Sequence, residues 1–231
     1  MIIILIAGAS ASGKTRLAAE LLARLNESGH GTHLLLKMDD YYHERPEGVD
    51  SEAFRRDTNF DTPTMLELSL LLEHLVCLDR GESITKPVFD FKTNRRVQTE
   101  TINPPDVLII EGLFALYFAQ RLPRHLNTIT AFVETDSYLE LLKRRIKRDI
   151  DERGRRDADD VLQQERRFVG PAFFGTIAPS KSQADIVVDN SAQFIASAAS
   201  APHPLTTAVE VMIEIIGTKQ AELAAAATRL V

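Results

Sequence analysis

The clearest chemical signature lies near the N-terminus, in the run Gly8-Ala9-Ser10-Ala11-Ser12-Gly13-Lys14-Thr15, which matches the pattern G-x-x-x-x-G-K-[ST]. The glycines allow the chain to wrap around phosphate with its backbone N–H groups pointing inward. Lys14 in such a loop reaches the β- and γ-phosphates, and the Thr15 hydroxyl ligates Mg²⁺. Because the run stands between an apolar segment and a helical one, we favour a nucleotide-phosphate site over an ordinary glycine-containing turn.

Acidic residues follow three of the apolar segments of the chain. Asp39 and Asp40 come after the second segment, and Glu111 and Asp136 come after the next two. In a doubly wound sheet such positions face the ligand, where a carboxylate can bind Mg²⁺ or orient a hydroxyl nucleophile. We expect a functional role for Glu111 and either helix capping or simple solvation for Asp136. Adjacent carboxylates diverge, so at most one of Asp39 and Asp40 faces the phosphates.

A strongly basic stretch runs from Lys143 to Arg156, with eight basic residues against three acidic ones. Arg145 and Arg148 are three residues apart and therefore share a helical face. Arg153 and Arg155 continue into a loop, and mobile arginines beside a phosphate site can close over a transferring phosphoryl group. We expect Arg148, Arg153 and Arg155 to act in catalysis, whereas Arg144 and Lys147 fit a solvated helix face.

The segments that position these residues alternate between strand-like and helix-like patterns. Continuous apolar runs, typical of strands buried on both faces, occur at 1–7, 33–38, 107–110, 129–133 and 186–188. Helical patterns occur at 13–26, 65–79, 137–150 and 205–230. Gly217 could interrupt the last helix, and residues 39–63 are polar and irregular. The order strand–helix–strand near the N-terminus predicts an α/β fold, a P-loop NTPase-type parallel sheet flanked by helices.

The segment Ile84–Ile102 has a different pattern from the rest of the chain. Val97, Thr99 and Thr101 alternate with polar residues, and the run Lys92-Thr93-Asn94-Arg95 is typical of a turn. Period-two alternation around a turn predicts two antiparallel strands. We therefore expect a β-hairpin inserted into the α/β frame.

Composition excludes several classes of protein. The 231 residues include 44% hydrophobic ones and carry a net charge of −6, which argues against a general nucleic-acid or anionic-membrane binder. A single cysteine, Cys77, excludes an intrachain disulfide, and the six histidines show no metal-binding spacing. No apolar run is long enough for a membrane helix, and no signal-peptide pattern is present. We expect a cytoplasmic protein without nucleic-acid or membrane partners.

Taken together, the chain resembles the uridine/cytidine kinases, within the phosphoribulokinase–uridine kinase group of P-loop kinases. Besides the phosphate loop, the resemblance rests on Asp39-Asp40-Tyr41-Tyr42, Asn59-Phe60-Asp61-Thr62-Pro63, Pro87-Val88-Phe89-Asp90-Phe91, Glu111-Gly112-Leu113, Arg144-Arg145-Ile146-Lys147-Arg148-Asp149-Ile150, Glu152-Arg153-Gly154-Arg155 and Pro179 to Val188. The resemblance implies transfer of the γ-phosphoryl of ATP, with Mg²⁺, to the 5′-hydroxyl of a pyrimidine ribonucleoside. It also suggests a homo-oligomer.

The resemblance implies a role for each matched position. Asp39 takes or orients the proton of the ribose 5′-hydroxyl, and Thr15, Glu111 and Asp39 bind Mg²⁺. The remaining matches are sugar contacts (Asp61, Arg145, Gln164), pocket walls (Tyr42, Phe60, Phe91), base-reading hairpin positions (Phe89, Asn94) and a phosphate-covering lid (Arg148, Arg153, Arg155). We divide the chain into a kinase domain at 1–190 with hairpin 84–102 and lid 149–158, a Ser/Ala/Pro-rich connection at 191–204, and a C-terminal helix at 205–231 packed on the same domain.

Two hairpin positions depart from the family pattern, which has tyrosine where this chain has Phe89 and histidine where it has Asn94. A site that lacks a matched hydrogen bond can lose orders of magnitude in discrimination. Arg95 and Arg96 beside the turn would suit an acceptor that carries phosphate or carboxylate. Two alternatives therefore stay open: a kinase of the same fold for another small hydroxylated acceptor, such as a sugar phosphate or a vitamin-like alcohol, and a nucleotide-binding regulatory protein without acceptor chemistry.

Overall fold

A parallel β-sheet lies at the centre of the molecule. The computed structural model describes residues 1–29, 31–151, 158–191 and 203–228. Its strands are β1 (Ile2–Gly8), β2 (His33–Lys37), β3 (Ile84–Asp90), β4 (Arg95–Ile102), β5 (Val107–Glu111), β6 (Asn127–Glu134) and β7 (Ile186–Asp189). Five of them form a parallel sheet in the order β2-β5-β1-β6-β7, and β3 pairs with β4 as a separate antiparallel hairpin. The predicted parallel α/β sheet is confirmed.

Helices flank the sheet on both faces. They are α1 (Lys14–Glu27), α2 (Ser51–Asp57), α3 (Leu68–Asp79), α4 (Ala115–Ala119), α5 (Tyr138–Asp151), α6 (Ala158–Gln164) and the C-terminal helix (Pro204–Thr228). The chain stays helical after α6 through π turns (Glu165–Val169, Phe173–Ile177), short α-helical pieces (Gly170–Ala172, Ala178–Ser180) and a 3-10 turn (Lys181–Gln183). Two further 3-10 turns lie at Met38–Tyr41 and Pro63–Met65. No helix in the described ranges is both long and apolar enough to span a membrane.

The first strand is buried along its whole length because both sides of the sheet are covered. Its odd-numbered side chains pack into one core with α3 and the hairpin, and its even-numbered isoleucines pack into another with α1 and the C-terminal helix. The second core contains Leu17, Leu21 and Leu25 of α1 and Val209, Met212 and Ile216 of the C-terminal helix. Each buried side chain of this size contributes about 1.5–3 kcal/mol, so the two cores hold the loop-bearing edge of the sheet rigid.

The helix after the phosphate loop begins one residue later than predicted. Gly13 is the N-cap of α1 and has a left-handed φ of 105°. A Cβ at this position would lie 2.5 Å from Nδ2 of Asn190, so both the backbone conformation and the close approach require glycine. The exposed N–H groups of the first turn then point toward the site where an anion would bind.

Other boundaries also differ from the sequence-based expectations. The helix predicted from residue 65 begins at Leu68, because Pro63–Met65 form a 3-10 turn and Leu66 makes an antiparallel bridge with Tyr42. The segment predicted to be irregular contains α2, whose N-cap Asp50 accepts hydrogen bonds from two backbone N–H groups. Gly217 does not interrupt the C-terminal helix, since tertiary packing offsets the cost of one glycine, about 1 kcal/mol.

Some sequence-based expectations fall on parts of the chain outside the described residues. Arg153 and Arg155 of the lid are among them, as are residues 192–202 of the predicted connection. The division of the chain into domain, lid and connection therefore stays a prediction.

Candidate active site

A cleft of about 540 Å³ opens at the carboxyl edge of the sheet. Lys14 and Thr15 reach it from the first turn of α1, Asp39 from the turn after β2, and Glu111 from the end of β5. Its volume lies in the range typical of small-molecule sites. The predicted phosphate loop and the predicted acidic groups are thus brought together at one place, whereas Asp136 after β6 is exposed and is not among the lining residues the structure describes.

The phosphate loop is shaped by its backbone and by one residue from the far end of the sheet. Ala11 adopts a left-handed φ of 66°, and the Ser12 side chain is fully buried. Asn190, directly after β7, donates a hydrogen bond from Nδ2 to the Ser12 carbonyl oxygen at 2.8 Å. The sequence analysis missed this contact, for which the only signal was a polar residue at the end of the last strand.

A hydroxyl and a carboxylate meet beside Lys14. The Thr15 hydroxyl donates to Oε2 of Glu111 at 3.2 Å. Both are oxygen ligands of the kind that Mg²⁺ prefers, and the described residues contain no group of three or more His, Cys, Asp or Glu side chains that could hold a metal alone. The pair therefore fits an ion that completes its coordination with phosphate oxygens and water.

Asp39 and Asp40 point in different directions, as expected for adjacent carboxylates. Asp39 lines the cleft. Asp40 accepts hydrogen bonds from Nζ of Lys86 at 2.7 Å and from the backbone N–H of Phe89 at 3.2 Å. Asp40 thus ties the hairpin to the 3-10 turn that carries Asp39, a role that its position after a strand did not reveal.

Four aromatic side chains form one wall of the cleft, and they are Tyr42, Phe60, Phe89 and Phe91. Their ring centroids lie 5.1 to 5.6 Å apart in tilted or edge-to-face pairs, and the Tyr42 hydroxyl donates to the Phe60 carbonyl oxygen at 3.0 Å. Phe91 is 45% exposed, which places it at the mouth of the cleft. Such a wall can pack against a planar ring.

The three predicted sugar contacts lie together beside this wall. Asp61, Arg145 and Gln164 all line the cleft. Burial raises the pKa of Asp61, an effect that the nearby Arg145 guanidinium and the Lys14 ammonium oppose. Nε2 of Gln164 donates to the Arg55 carbonyl oxygen at 3.4 Å, which links the chain after the lid to α2. The arrangement offers charged and polar groups to a hydroxylated ligand.

Arg148 reaches the phosphate loop from α5. Its Nη2 donates to the Ser10 hydroxyl at 3.1 Å, and its guanidinium also pairs with Asp149, with Nη2 2.7 Å from Oδ1. Arg145 and Arg148 both line the cleft, so the prediction that they share a face of the helix is confirmed.

Asn94 at the hairpin tip lines the cleft. It has a left-handed φ of 53° and is buried, and its Nδ2 donates to the hydroxyl and carbonyl oxygens of Ser51 at 2.8 and 3.3 Å. Its amide N–H groups therefore hold the turn against α2, and its role in base recognition stays a prediction. Arg96 pairs with Glu67 at 2.6 Å, so the expectation that it suits a charged acceptor is wrong.

Two other cations line the acceptor side of the cleft instead. Arg55 and Lys92 lie there, whereas Arg95 and Arg96 are not among its described lining residues. Nη2 of Arg55 donates to the carbonyl oxygens of Phe91 and Lys92 at 2.7 and 3.0 Å. The sequence analysis missed Arg55 because α2 was not predicted.

A phosphate loop after the first strand of a parallel sheet, with acids after β2 and β5 in the same cleft, is the arrangement of a P-loop nucleotide-binding protein. Comparison with known proteins narrows the class further. The pattern of the phosphoribulokinase/uridine kinase family matches residues 3–194, and the chain belongs to this family.

A curated relative agrees with this assignment, and two solved structures share the fold. The chain is 42% identical over 188 residues to the uridine kinase of Escherichia coli strain K12, covering 81% of this chain and 86% of that protein. The structure of D-glycerate 3-kinase from Cryptococcus neoformans covers 83% of this chain and 85% of its own, with a TM-score of 0.57 and 14% identity. The structure of phosphoribulokinase from Rhodobacter spheroides covers 82% of this chain and 70% of its own chain, with a TM-score of 0.52 and 18% identity. At such identities these two structures support the fold alone.

Proposed function

We propose that the protein transfers the γ-phosphoryl group of ATP to the 5′-hydroxyl of uridine or cytidine. The observation that carries the proposal is that Lys14, Asp39 and the aromatic wall all line a single cleft. A uridine kinase at 42% identity supports the same class of acceptor.

The reaction needs positioning and neutralisation of charge more than covalent help. The acceptor 5′-oxygen forms a bond to the γ-phosphorus, its proton passes to the Asp39 carboxylate, and the bond to the bridging oxygen breaks with its electron pair remaining on ADP. Lys14 and Arg148 neutralise charge on the phosphate oxygens during this step. Thr15 and Glu111, with Asp39 nearby, would hold Mg²⁺, which when bound shields the phosphate charge from the incoming hydroxyl.

The acceptor would lie between the carboxylates and the aromatic wall. Asp61 can accept hydrogen bonds from ribose hydroxyls, and Arg145 and Gln164 can donate to them. Tyr42, Phe60, Phe89 and Phe91 can pack against the base. The lid role of Arg153 and Arg155, the homo-oligomer, the cytoplasmic location and the absence of a nucleic-acid partner stay predictions from the sequence.

A second candidate is a kinase of the same fold for an acceptor that carries negative charge. Arg55 and Lys92 line the acceptor side of the cleft, and Phe89 presents no hydrogen-bonding group to a base. Nδ2 of Asn94 also already donates to Ser51. These features favour a sugar phosphate over a nucleoside, whereas the 42% identity to a uridine kinase favours the nucleoside.

The decisive experiment is a phosphorylation assay with purified protein, ATP and Mg²⁺. The acceptors are uridine, cytidine, adenosine and ribulose 5-phosphate, and products are identified by mass spectrometry. We expect 5′-monophosphates from uridine or cytidine and no product with the Lys14→Ala variant, which lacks the phosphate-loop cation. Turnover of the sugar phosphate with no pyrimidine product would support the second candidate, and no transfer to any acceptor would favour a regulatory nucleotide binder.

The hairpin offers a test of base recognition in the same assay. Phe89→Tyr restores a hydroxyl on the aromatic wall and should lower the KM for uridine if Phe89 faces the base. Substituting histidine for Asn94 would be a poorer test, because the larger ring must fit a buried left-handed position that now bonds to Ser51. An unchanged uridine KM in Phe89→Tyr would place the base elsewhere in the cleft.

A further inference from the structure

A buried polar network lies behind the acceptor side of the cleft. Glu165 stands in the first π turn after α6 and is 7% exposed. Its Oε1 accepts a hydrogen bond from the hydroxyl of Tyr138, the first residue of α5, and its Oε2 accepts one from Nη1 of Arg145. We call these three residues the Glu165 network. A buried carboxylate costs free energy unless it is paired, so this one is held in place by its two donors.

The network engages Arg145, although neither Glu165 nor Tyr138 is among the described lining residues of the cleft. A second carboxylate also approaches this guanidinium, because Oδ2 of Asp149 lies 3.5 Å from its Nε. Asp149 in turn pairs with Arg148, the arginine that reaches the phosphate loop. Arg145 is 6% exposed, so it is fixed by Glu165 and Asp149 before any acceptor binds.

A third carboxylate, that of Asp61, shares the pocket wall with Arg145 but is not engaged by it. Within the described residues the Asp61 carboxylate makes no ion pair and no hydrogen bond, and only its backbone N–H is used, by Asn59. Burial is the main cause of its raised pKa, Glu165 and Asp149 raise it further, and Arg145 and Lys14 lower it. An unpaired carboxylate beside a buried guanidinium needs something that turns the guanidinium elsewhere.

We propose that Glu165 is a positioning residue that holds Arg145 away from Asp61, and so leaves Asp61 open to accept hydrogen bonds from the hydroxyl groups of the acceptor. The proposal rests on the proposed function, because it assigns Asp61 to a hydroxylated acceptor. Tyr138 supports the same geometry by orienting the Glu165 carboxylate. Without the charge of Glu165, the guanidinium would pair with Asp61, and an acceptor would then have to break that pair.

The test compares Glu165→Gln with the wild type in steady-state kinetics. The amide keeps the size of the side chain and removes its charge, so we expect the KM for uridine to rise about tenfold or more, the range of a charge-assisted hydrogen bond. The KM for ATP should stay within about twofold, since in the described residues the side-chain hydrogen bonds of Glu165 go to Tyr138 and Arg145 and not to the phosphate loop. Equal increases in both KM values, or an unchanged uridine KM, would overturn the proposal.

Two further variants separate positioning from damage to the fold. Glu140→Gln removes a carboxylate that pairs with Arg144 at 2.9 Å on the same helix, outside the described lining of the cleft, and should leave both KM values unchanged.

Tyr138→Phe should raise the uridine KM less than Glu165→Gln does. In a protein that already carries Glu165→Gln, adding Tyr138→Phe should cause no further rise in the KM for uridine, because the Tyr138 hydroxyl acts only through the Glu165 carboxylate. If Glu165→Gln fails to fold, Tyr138→Phe still decides, and an unchanged uridine KM would then reject the proposal.

The titration of Asp61 gives a readout that a merely structural role would not move. The groups that face it are Arg145, Lys14, Glu165 and Asp149. Tyr138→Phe removes no charge, so a lower pKa of Asp61 in this variant would report the approach of Arg145. Carboxyl ¹³C NMR of wild type and Tyr138→Phe measures this shift, and an unchanged titration would contradict the proposal. If the wild type does not phosphorylate uridine, the proposed function fails, while this titration still decides the role of Glu165.

Discussion

Single residues decide what the cleft can do, and the pair Asp39 and Asp40 shows how. Both follow the same strand, but only Asp39 lines the cleft, while Asp40 is held by Lys86 and the hairpin backbone. The chemistry of a carboxylate here therefore depends on which way the 3-10 turn directs each side chain. A general base must reach the acceptor hydroxyl, and Asp39 is the one whose position allows it.

At this scale we predict the effect of Asp39→Asn. The amide cannot take a proton, so kcat should fall by about 100-fold or more, the range of general-base catalysis, while the KM values change less. The matched control is Asp136→Asn, which alters an exposed aspartate after β6 and should leave kcat unchanged. Steady-state kinetics measures both. A kcat for Asp39→Asn within a few fold of wild type would show that another group handles the proton.

At the scale of elements, the 3-10 turn Met38–Tyr41 is held against α3 by a buried contact. The Tyr41 hydroxyl and Nδ1 of His74 lie 2.8 Å apart, and both side chains are buried. Burial lowers the pKa of His74 and raises that of the Tyr41 hydroxyl, so both groups are neutral at pH 7. The position of the turn therefore depends on a histidine that stays unprotonated.

This contact predicts a pH dependence of stability. The pKa of His74 is lower in the folded state than in the unfolded chain, where it is about 6.5. The contribution of neutral His74 to the free energy of unfolding is therefore fully present above pH about 6.5 and is lost as the pH falls toward the folded-state pKa. Between pH 7.5 and 5.5 the melting temperature of wild type should drop more than that of His74→Gln.

The control for this prediction is His125→Gln, whose histidine side chain is 69% exposed and should not change the pH dependence. Thermal unfolding followed by circular dichroism at several pH values measures all three proteins. If the melting temperatures of wild type and His74→Gln fall equally with pH, the protonation of His74 does not affect the stability of the folded protein.

The hairpin and α2 form a second functional unit at the scale of elements. Ser51 Oγ donates to the Lys92 carbonyl oxygen at 3.0 Å, and Arg55 donates to the same carbonyl and to that of Phe91. No residue of α2 is buried, so polar contacts and the packing of Phe54 on Phe60 place it over the acceptor side of the cleft. The acceptor wall is thus built from segments far apart in sequence.

At the scale of the whole molecule, the C-terminal helix covers the sheet face opposite the hairpin. Met212 is fully buried against this face, whereas the adjacent Val211 is 41% exposed. Met212→Ala should destabilise the protein by about 2–5 kcal/mol through lost burial and a cavity, and Val211→Ala should change stability by less than about 0.5 kcal/mol.

Urea denaturation measures both variants. At temperatures where Met212→Ala remains folded, its KM values should match wild type, because the helix supports the sheet and does not line the described cleft. Equal stabilities of the two variants would show that the C-terminal helix is not part of the cooperative core.

Much of the fold and of the phosphate end of the site could be predicted from local sequence. An apolar run marks a doubly covered strand wherever it occurs, and the spacing from Gly8 to Thr15 shapes a loop through its own backbone. The acids after β2 and β5 could be assigned to one edge because carboxyl ends of parallel strands meet there. The antiparallel pairing of β3 and β4 follows in the same way from period-two alternation.

Tertiary structure alone decided which partner each side chain has. Asn94 meets Ser51 across 43 residues, Glu165 meets Arg145 across 20, and Asn190 meets Ser12 across 178. No periodicity encodes such pairs, because they depend on how separately formed elements pack. The sequence by itself therefore determined a phosphate-binding α/β chain with its acids at one edge, and only packing determined which carboxylates face the ligand and which hold other residues in place.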